Sequence, residues 1–91
     1  MEFPKDGVFS KVIVKGEKSQ HTLMCLSKGA DLSEHTSTRE ASVTVLKGKG
    51  TFTLFDKQIN MEPGVFIFMP KNAPHSLMAD ENLAILLSMA G

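Results

Sequence analysis

Residues 64–79 read GVFIFMPKNAPHSLMA, an apolar run followed by a turn and a second short segment. Val65 to Met69 is apolar at every position, as in a buried strand. Pro70 to Pro74 is rich in the residues that favour turns. Ser76 to Ala79 then predicts a further strand. The stretch therefore predicts two strands joined by a turn.

The same arrangement of short strands and turns extends over the rest of the chain. Turn residues recur about every 8–12 residues, the spacing of an all-β barrel or sandwich, and no window shows a helical period. Lys28 to Thr38 is polar and is predicted to be a loop, and Asp56-Lys57 is predicted to be a hairpin turn. The pattern favours a jelly roll or a small closed barrel. The predicted strands are Val8–Val14, His21–Leu26, Ser42–Leu46, Thr51–Phe55, Gln58–Met61, Val65–Met69, Ser76–Ala79 and Leu83–Met89.

Length and charge limit the function classes. The chain of 91 residues supports one domain, residues 1–91. Its 10 basic and 10 acidic residues give a formal net charge of zero. We therefore expect no nucleic-acid partner, which would need a basic patch. We also expect no membrane partner, because a polybasic surface and a long apolar span are both missing from the sequence.

Cysteine content bears on the compartment. Cys25 is the single cysteine, so no internal disulfide can form. This suits a reducing environment. The first residues contain no apolar stretch of the kind found in secretory signals. We expect a cytoplasmic protein in which Cys25, within an apolar run, is a buried structural side chain.

The run Val65 to Met69 also predicts an interface. Strand side chains alternate between two faces, so Phe66 and Phe68 cannot share a core with Ile67. One of these faces needs a second covering. Another subunit or the chain's own N-terminal segment could supply it. We expect a homodimer, because long exposed apolar patches are rare on monomers.

Two segments carry a resemblance to a known family. Residues 29–48 read GADLSEHTSTREASVTVLKG, and residues 64–79 are the stretch quoted above. The sequence resembles the cupin superfamily, specifically its small single-domain conserved-barrel group, over about residues 20–89. The resemblance implies a double-stranded β-helix, which is a jelly-roll barrel. It also implies that a site lies in the mouth of this barrel.

The second cupin motif is Gly, five residues, Pro-x-Gly, two residues, His, three residues, Asn, and the chain follows it well. Gly64 is followed after five residues by Pro70, and His75 lies at the histidine position. Asn72 replaces the second glycine, and Asn is the common substitute where a left-handed turn is required. Ala79 replaces the closing asparagine.

The first motif is Gly, five residues, His-x-His, three or four residues, Glu, six residues, Gly, and here it is degenerate. His35 lies at the first histidine position. Ser37 replaces the second histidine and Ala41 replaces the glutamate, with Glu40 one residue earlier. In the family these histidines and the glutamate hold a divalent metal, commonly iron, manganese, nickel or zinc.

By this resemblance only His35 and His75 remain as metal ligands, so the metal site is reduced or absent. A catalytic zinc needs about three protein ligands, and non-haem iron needs two histidines and a carboxylate. Glu40 could supply the carboxylate if a bulge redirected it, because a one-residue shift on a regular strand points a side chain to the opposite face. His21, from a neighbouring strand, is another candidate.

The loops Lys28 to Thr38 and Pro70 to Pro74 are expected at one end of the barrel, where small barrels hold ligands. The methionines are expected to fill the core, with a methionine-lined pocket as the alternative. The ligand-pocket residues predicted from alternation and the two motifs are His35, Ser37, Ala41, Val43, Val45, His75 and Leu77.

These residues favour a protein that binds a small molecule in the barrel pocket. One alternative is a metal-dependent enzyme, an oxygenase, isomerase or lyase acting on a small carbonyl or sugar-like compound. A second is a regulatory or sensor module that acts through a partner protein or the dimer interface. Metal content separates the first two, and the residues leave the choice between binding and catalysis open.

Overall fold

The computed structural model describes residues 3–90, which form two antiparallel β-sheets. One sheet has five strands in the order β1-β2-β9-β4-β7, and the other has four in the order β3-β8-β5-β6. The strands are β1 Val8–Lys15, β2 Ser19–Leu26, β3 Asp31–His35, β4 Glu40–Lys47, β5 Gly50–Leu54, β6 Lys57–Met61, β7 Phe66–Met69, β8 His75–Ala79 and β9 Leu83–Ala90.

The all-β jelly-roll prediction is confirmed, since residues 3–90 form nine strands in two antiparallel sheets and contain no helix. Within these residues there is accordingly no helix that could cross a membrane. Every predicted strand is present, with ends within two residues of those expected. The loop prediction for Lys28 to Thr38 is wrong in part, because β3 lies within it. β3 is a polar edge strand in which only Leu32 is partly buried, so it has no hydrophobic pattern, and its partner β8 holds it in place.

The core lies between the two sheets and follows alternation along β4, β5, β7 and β8, whereas consecutive residues are buried where β2 ends and β9 begins. On β4, Ala41, Val43 and Val45 point inward and are buried, while the residues between them are not. Phe52 on β5 supplies the largest fully buried side chain. Cys25 is buried, as its apolar surroundings predicted.

The chain crosses from one sheet to the other at Gly48, between β4 and β5. Gly48 has φ of 92°, a left-handed conformation that glycine adopts without cost. A Cβ there would collide with the backbone of Asn82. The neighbouring carbonyl of Lys49 accepts hydrogen bonds from the amides of Asp80 (3.0 Å) and Glu81 (3.1 Å). The crossing is therefore held tightly against the turn before β9.

Strand β7 has one buried face and one exposed face. Ile67 and Met69 are buried, whereas Phe66 is 63% exposed and Phe68 is 50% exposed. The chain's own β1 lies at the opposite edge of the same sheet. Of the two coverings considered from the sequence, the chain's own N-terminal strand therefore does not lie on β7.

Candidate functional site

His35 and His75 come together at one end of the sandwich. They are cross-strand neighbours, at the last residue of β3 and the first residue of β8. The pairing of these strands is irregular between Leu32 and His35, which is where a bulge redirects side chains. The ring centroids are 4.1 Å apart in an edge-to-face arrangement. Two residues separated by 40 positions in the sequence therefore form one pair of imidazoles.

Both rings are oriented by their own backbone. His35 Nδ1 lies 2.8 Å from the carbonyl oxygen of Ser33, and His75 Nδ1 lies 2.9 Å from that of Ala73. A carbonyl oxygen only accepts, so each Nδ1 carries the proton and donates it. In a neutral imidazole this leaves Nε2 as an unprotonated acceptor. The pair thus offers two nitrogen lone pairs to a ligand or a metal ion.

His75 is the anchored member of the pair, and His35 is the accessible one. The His75 side chain is 8% exposed and stacks on Phe52, with ring planes 5° apart and centroids 5.9 Å apart. His35 is exposed. A ligand approaching from solvent therefore meets His35 first and reaches His75 deeper in the sandwich.

A small apolar cavity of about 40 Å³ opens at the pair. A cavity needs about 10–15 Å³ of such space to hold one water molecule, so this cavity holds a few water molecules at most. Pockets for drug-sized ligands are about 300–1,000 Å³, so only a small chemical group can enter. The lining residues are Met24, Leu32, His35, Val43, Phe52, Met69, His75, Ser76, Leu77, Ile85 and Leu87.

Two loops at this end are tied together. Asn72, in the turn between β7 and β8, has φ of 61°, so it takes the left-handed conformation expected of a glycine substitute. Its amide donates to the carbonyl of Ser37 at 2.7 Å. The Ser37 hydroxyl accepts from the amide of Arg39 at 3.1 Å. Ser37 therefore braces the pocket entrance rather than lining the cavity.

The remaining predicted pocket residues divide into two groups. His35, Val43, His75 and Leu77 line the cavity. Ala41 and Val45 are buried on the inward face but belong to the packed core outside the cavity wall.

Seven cavity residues are absent from the sequence prediction: Met24, Leu32, Phe52, Met69, Ser76, Ile85 and Leu87. Phe52 and Met69 are inward positions of predicted strands, so alternation places them inside. Nothing local in the sequence indicates that they face the histidines. Met24 and Met69 are two of the eleven lining residues, so methionines form part of the pocket wall but do not dominate it.

The two candidate replacement ligands lie elsewhere. His21 Nδ1 is 2.8 Å from the Ser88 hydroxyl, on the outer face of the five-stranded sheet. Glu40 is exposed at the start of β4 and borders the same outer surface as His21. The structure brings neither of them to His35 and His75.

The imidazole nitrogens of His35 and His75 therefore fit a weak metal site at most. In the part of the chain from residue 3 to residue 90, no group of three or more His, Cys, Asp or Glu side chains could hold a metal ion. Two imidazole nitrogens fall short of the three protein ligands of a catalytic zinc. Water or a ligand's own oxygen atoms would have to complete the coordination.

Comparisons with known proteins agree with this architecture. The model of the Cupin domain family matches residues 22–89. A cupin 2 conserved barrel domain protein from Leptotrichia buccalis is 30% identical, with a TM-score of 0.92. The match covers 100% of this chain and 44% of that one. A comparison with curated proteins gives no match.

Two further solved structures share the fold at different levels of sequence identity. A conserved protein of unknown function from Streptococcus pyogenes is 29% identical, has a TM-score of 0.89, and is matched over 98% of this chain and 78% of that one. A variant of salicylate 1,2-dioxygenase from Pseudoaminobacter salicylatoxidans has a TM-score of 0.86 at 16% identity, over 92% of this chain and 26% of that one. At that identity the likeness shows the fold alone.

Proposed function

The chain belongs to the cupin family, and we propose that it binds a small hydroxylated molecule at the barrel mouth through His35 and His75. The observation that carries the proposal is the orientation of both rings. Each Nδ1 is held by a backbone carbonyl, which leaves Nε2 as the acceptor on both of these rings that line the cavity. Fold alone does not define a function, so the proposal rests on this pair.

The chemistry of the pair selects the ligand group. Two acceptors on adjacent rings are complementary to a hydroxyl or amino donor, or to a cation. They disfavour an anionic carboxylate while both imidazoles are neutral. The apolar wall formed by Val43, Phe52 and Leu77 suits the carbon skeleton that carries such a hydroxyl.

The cavity volume sets how the ligand sits. A space of about 40 Å³ accepts one hydroxyl-sized group, so the rest of the ligand lies at the entrance near His35. The hydrogen bond between Asn72 and Ser37 holds the two entrance loops together. We therefore expect a compact ligand that inserts one end into the cavity. We also expect its binding affinity to be modest.

The same pair of free Nε2 atoms supports a second candidate, a metal-dependent enzyme of the oxygenase, isomerase or lyase type. A divalent zinc, nickel, iron or manganese ion at His35 and His75 would act as a Lewis acid or an oxygen activator. His35 and His75 would orient it, and the ligand would supply further donors. With only two protein ligands, we expect this metal to exchange readily.

Binding is tested on the full chain with three histidine variants. Thermal shift and calorimetric titration use glycerol, simple monosaccharides and Zn²⁺, Ni²⁺, Mn²⁺ and Fe²⁺ as probes. A ligand that binds only the folded state at 100 times its Kd stabilises it by about 2.7 kcal/mol. We expect this shift to be lost in His35→Ala and His75→Ala and kept in His21→Ala, the matched control on the outer face.

Long-range ¹H–¹⁵N spectra of the imidazoles provide an independent reading, because they distinguish Nδ1–H from Nε2–H rings. We expect His35 and His75 as Nδ1–H tautomers whose Nε2 signals move when the probe binds. Near-stoichiometric metal lost from both variants would favour the enzyme. If neither hydroxylated compounds nor metals move these signals, the proposed site is wrong.

A further inference from the structure

The outer face of the four-stranded sheet carries a groove of about 410 Å³, about ten times the volume of the cavity at the histidine pair. Pockets for small molecules have volumes of about 300–1,000 Å³, so the groove can hold a ligand that the histidine cavity cannot. The function proposed above uses none of its polar side chains. The lining residues are Asp31, Leu32, Ser33, Glu34, Thr51, Thr53, Gln58, Ser76, Leu77 and Met78.

An irregular strand forms one side of the groove. Residues 31–34 are consecutive and all four line it, although the side chains of a regular strand alternate between two faces. The pairing of β3 with β8 is irregular between Leu32 and His35, and a bulge at such a place bends the strand and redirects its side chains. β3 is also an edge strand of this sheet. The bent edge strand therefore makes a groove out of part of the sheet face.

An exposed methionine lies in the groove with polar groups on three sides. Met78 is 48% exposed, and its cross-strand neighbours are Asp31 on β3 and Thr51 on β5. Ser76 precedes it by two residues on β8 and lies on the same face. Cβ atoms of directly opposed residues are about 4.5–5.5 Å apart, so these polar groups border the methionine closely. The groove thus has an apolar centre and a polar rim.

The rim offers acceptors and donors together. Thr51 Oγ1 donates to Asp80 Oδ2 at 3.0 Å, so its lone pairs are left to accept from a ligand. The ionised carboxylates of Asp31 and Glu34 also accept. Ser76, Thr53 and Gln58, opposed to one another in the next row, can both donate and accept. Among the described residues that line the groove, none is a lysine, arginine or histidine, so the groove disfavours an anionic ligand.

We propose that this groove binds a neutral saccharide. A pyranose ring has a face of C–H groups surrounded by hydroxyls, which matches an apolar centre with a polar rim. The flexible thioether of Met78 can adapt to the C–H face. The sugar hydroxyls can donate to the Asp31 carboxylate, in a hydrogen bond strengthened by its charge, and can accept from the Gln58 amide.

A neutral saccharide fits the groove better than a cation does. An alkyl diamine could pair with Asp31 and Glu34, but both are exposed, and exposed ion pairs contribute little. Its ammonium groups only donate, so they would leave the N–H groups of Gln58 without an acceptor. The groove lies behind the wall of the histidine cavity, since Leu32, Ser76 and Leu77 line both. Binding there does not require the histidines.

The first experiment follows methionine methyl groups labelled with ¹³C in the full chain while glucose, maltose or cellobiose is added. Met78 reports on the groove, whereas Met24 and Met69 report on the histidine cavity. Met78→Leu identifies the signal. We expect the Met78 signal to shift to saturation, and to do so equally in His35→Ala, which removes the other proposed site. The proposal is wrong if no neutral saccharide moves this signal, whatever happens at the histidines.

The second experiment compares dissociation constants by the same signal. We expect Asp31→Ala to raise the saccharide Kd by about tenfold or more, because a hydrogen bond to a charged group is lost. Thr51→Val should raise it by a smaller factor. Asn60→Ala is the matched control, because Asn60 opposes Thr51 on the same face but lies outside the groove lining, and it should leave the Kd unchanged. Circular dichroism checks that the variants fold.

Charged probes complete the comparison. Glucuronate carries a carboxylate and putrescine carries two ammonium groups, so we expect both to bind more weakly than the neutral saccharides. Tighter binding of either charged probe would overturn the proposal, as would equal weakening by Asp31→Ala and Asn60→Ala.

Discussion

The outer faces of the two sheets differ sharply in chemistry. The five-stranded sheet presents Leu23, Leu86, Phe66 and Phe68 together with Lys11, His21 and a few small polar residues. The four-stranded sheet presents Thr51, Thr53, Ser76 and Gln58, with Met78 as its exposed apolar residue. Both sheets bury their inner faces in the same core. An antiparallel sheet commonly buries one face in the core and exposes the other to solvent. Apolar side chains on the outer face therefore indicate that another surface packs against it.

The difference also separates two kinds of surface in one small domain. The four-stranded sheet carries His75 on β8 and His35 on β3, and its outer face is solvated. The five-stranded sheet supplies only cavity wall from its inner face, through Met24, Val43 and Met69. The proposed ligand site and the apolar outer face therefore lie on opposite faces of the five-stranded sheet, so we expect that a substitution on one leaves the other unchanged.

The largest expected effect comes from breaking the crossing that holds the sheets together. Gly48→Ala should lower the free energy of unfolding by about 3 kcal/mol or more, because a left-handed backbone and a backbone collision combine. Gly29→Ala is the control, with φ of 86° and no atom within 4 Å of the added Cβ. Urea unfolding should give a loss near 1 kcal/mol there. Equal losses would show that the collision at Gly48 is relieved.

The second-largest expected loss of stability comes from a substitution at the centre of the apolar outer face. Leu86→Ala should lower stability by about 2 kcal/mol per chain, because Leu86 is half-buried in one chain and would be covered further in the homodimer expected from the sequence. Thr53→Ala, at a comparable position on the polar face, should change stability by less than about 0.5 kcal/mol. Melting temperature measured over a range of protein concentrations tests both. The contrast between the faces fails if the two variants lose the same stability.

A gain of about 1 kcal/mol is expected from the hairpin of the polar sheet. Phe55 and Asp56 have φ of 49° and 68°, so the turn lies one residue earlier than the predicted Asp56-Lys57. Positive φ at both central residues defines a type I′ turn, which prefers Asn-Gly. Phe55→Asn combined with Asp56→Gly should raise the midpoint of urea unfolding and leave the oligomeric state unchanged. A change in association would mean that the two sheets are coupled.

The smallest perturbation uses tryptophan as a reporter. The chain contains no Trp and no Tyr, so a single introduced indole is read without background. Phe66→Trp and Met78→Trp should each change stability by less than about 0.5 kcal/mol. Dilution should dissociate the homodimer expected from the sequence, so emission from position 66 should move to longer wavelength while emission from position 78 stays constant. Identical behaviour at the two positions would remove the distinction between the faces.

Alternation and turn residues were enough to predict the strands and the inward residues of β4. They were not enough for β3, whose sequence is polar and whose strand conformation depends on pairing with β8. The motif spacing placed His35 and His75 in one site. It did not reveal that Ser37 braces a loop, because that depends on the Asn72 amide 35 residues away.

The sequence by itself determined the all-β class and the apolar excess of Val65 to Met69, because these depend on local period and residue type. The resemblance of its two motifs to those of the cupins indicated the family and the two histidines. Only the tertiary structure decided which rings meet, which nitrogens are free, how small the cavity is, and that His21 and Glu40 lie on the outer face. The reason is that pairing partners and bulges are set by contacts between strands distant in sequence, and a shift of one residue reverses the face of every side chain.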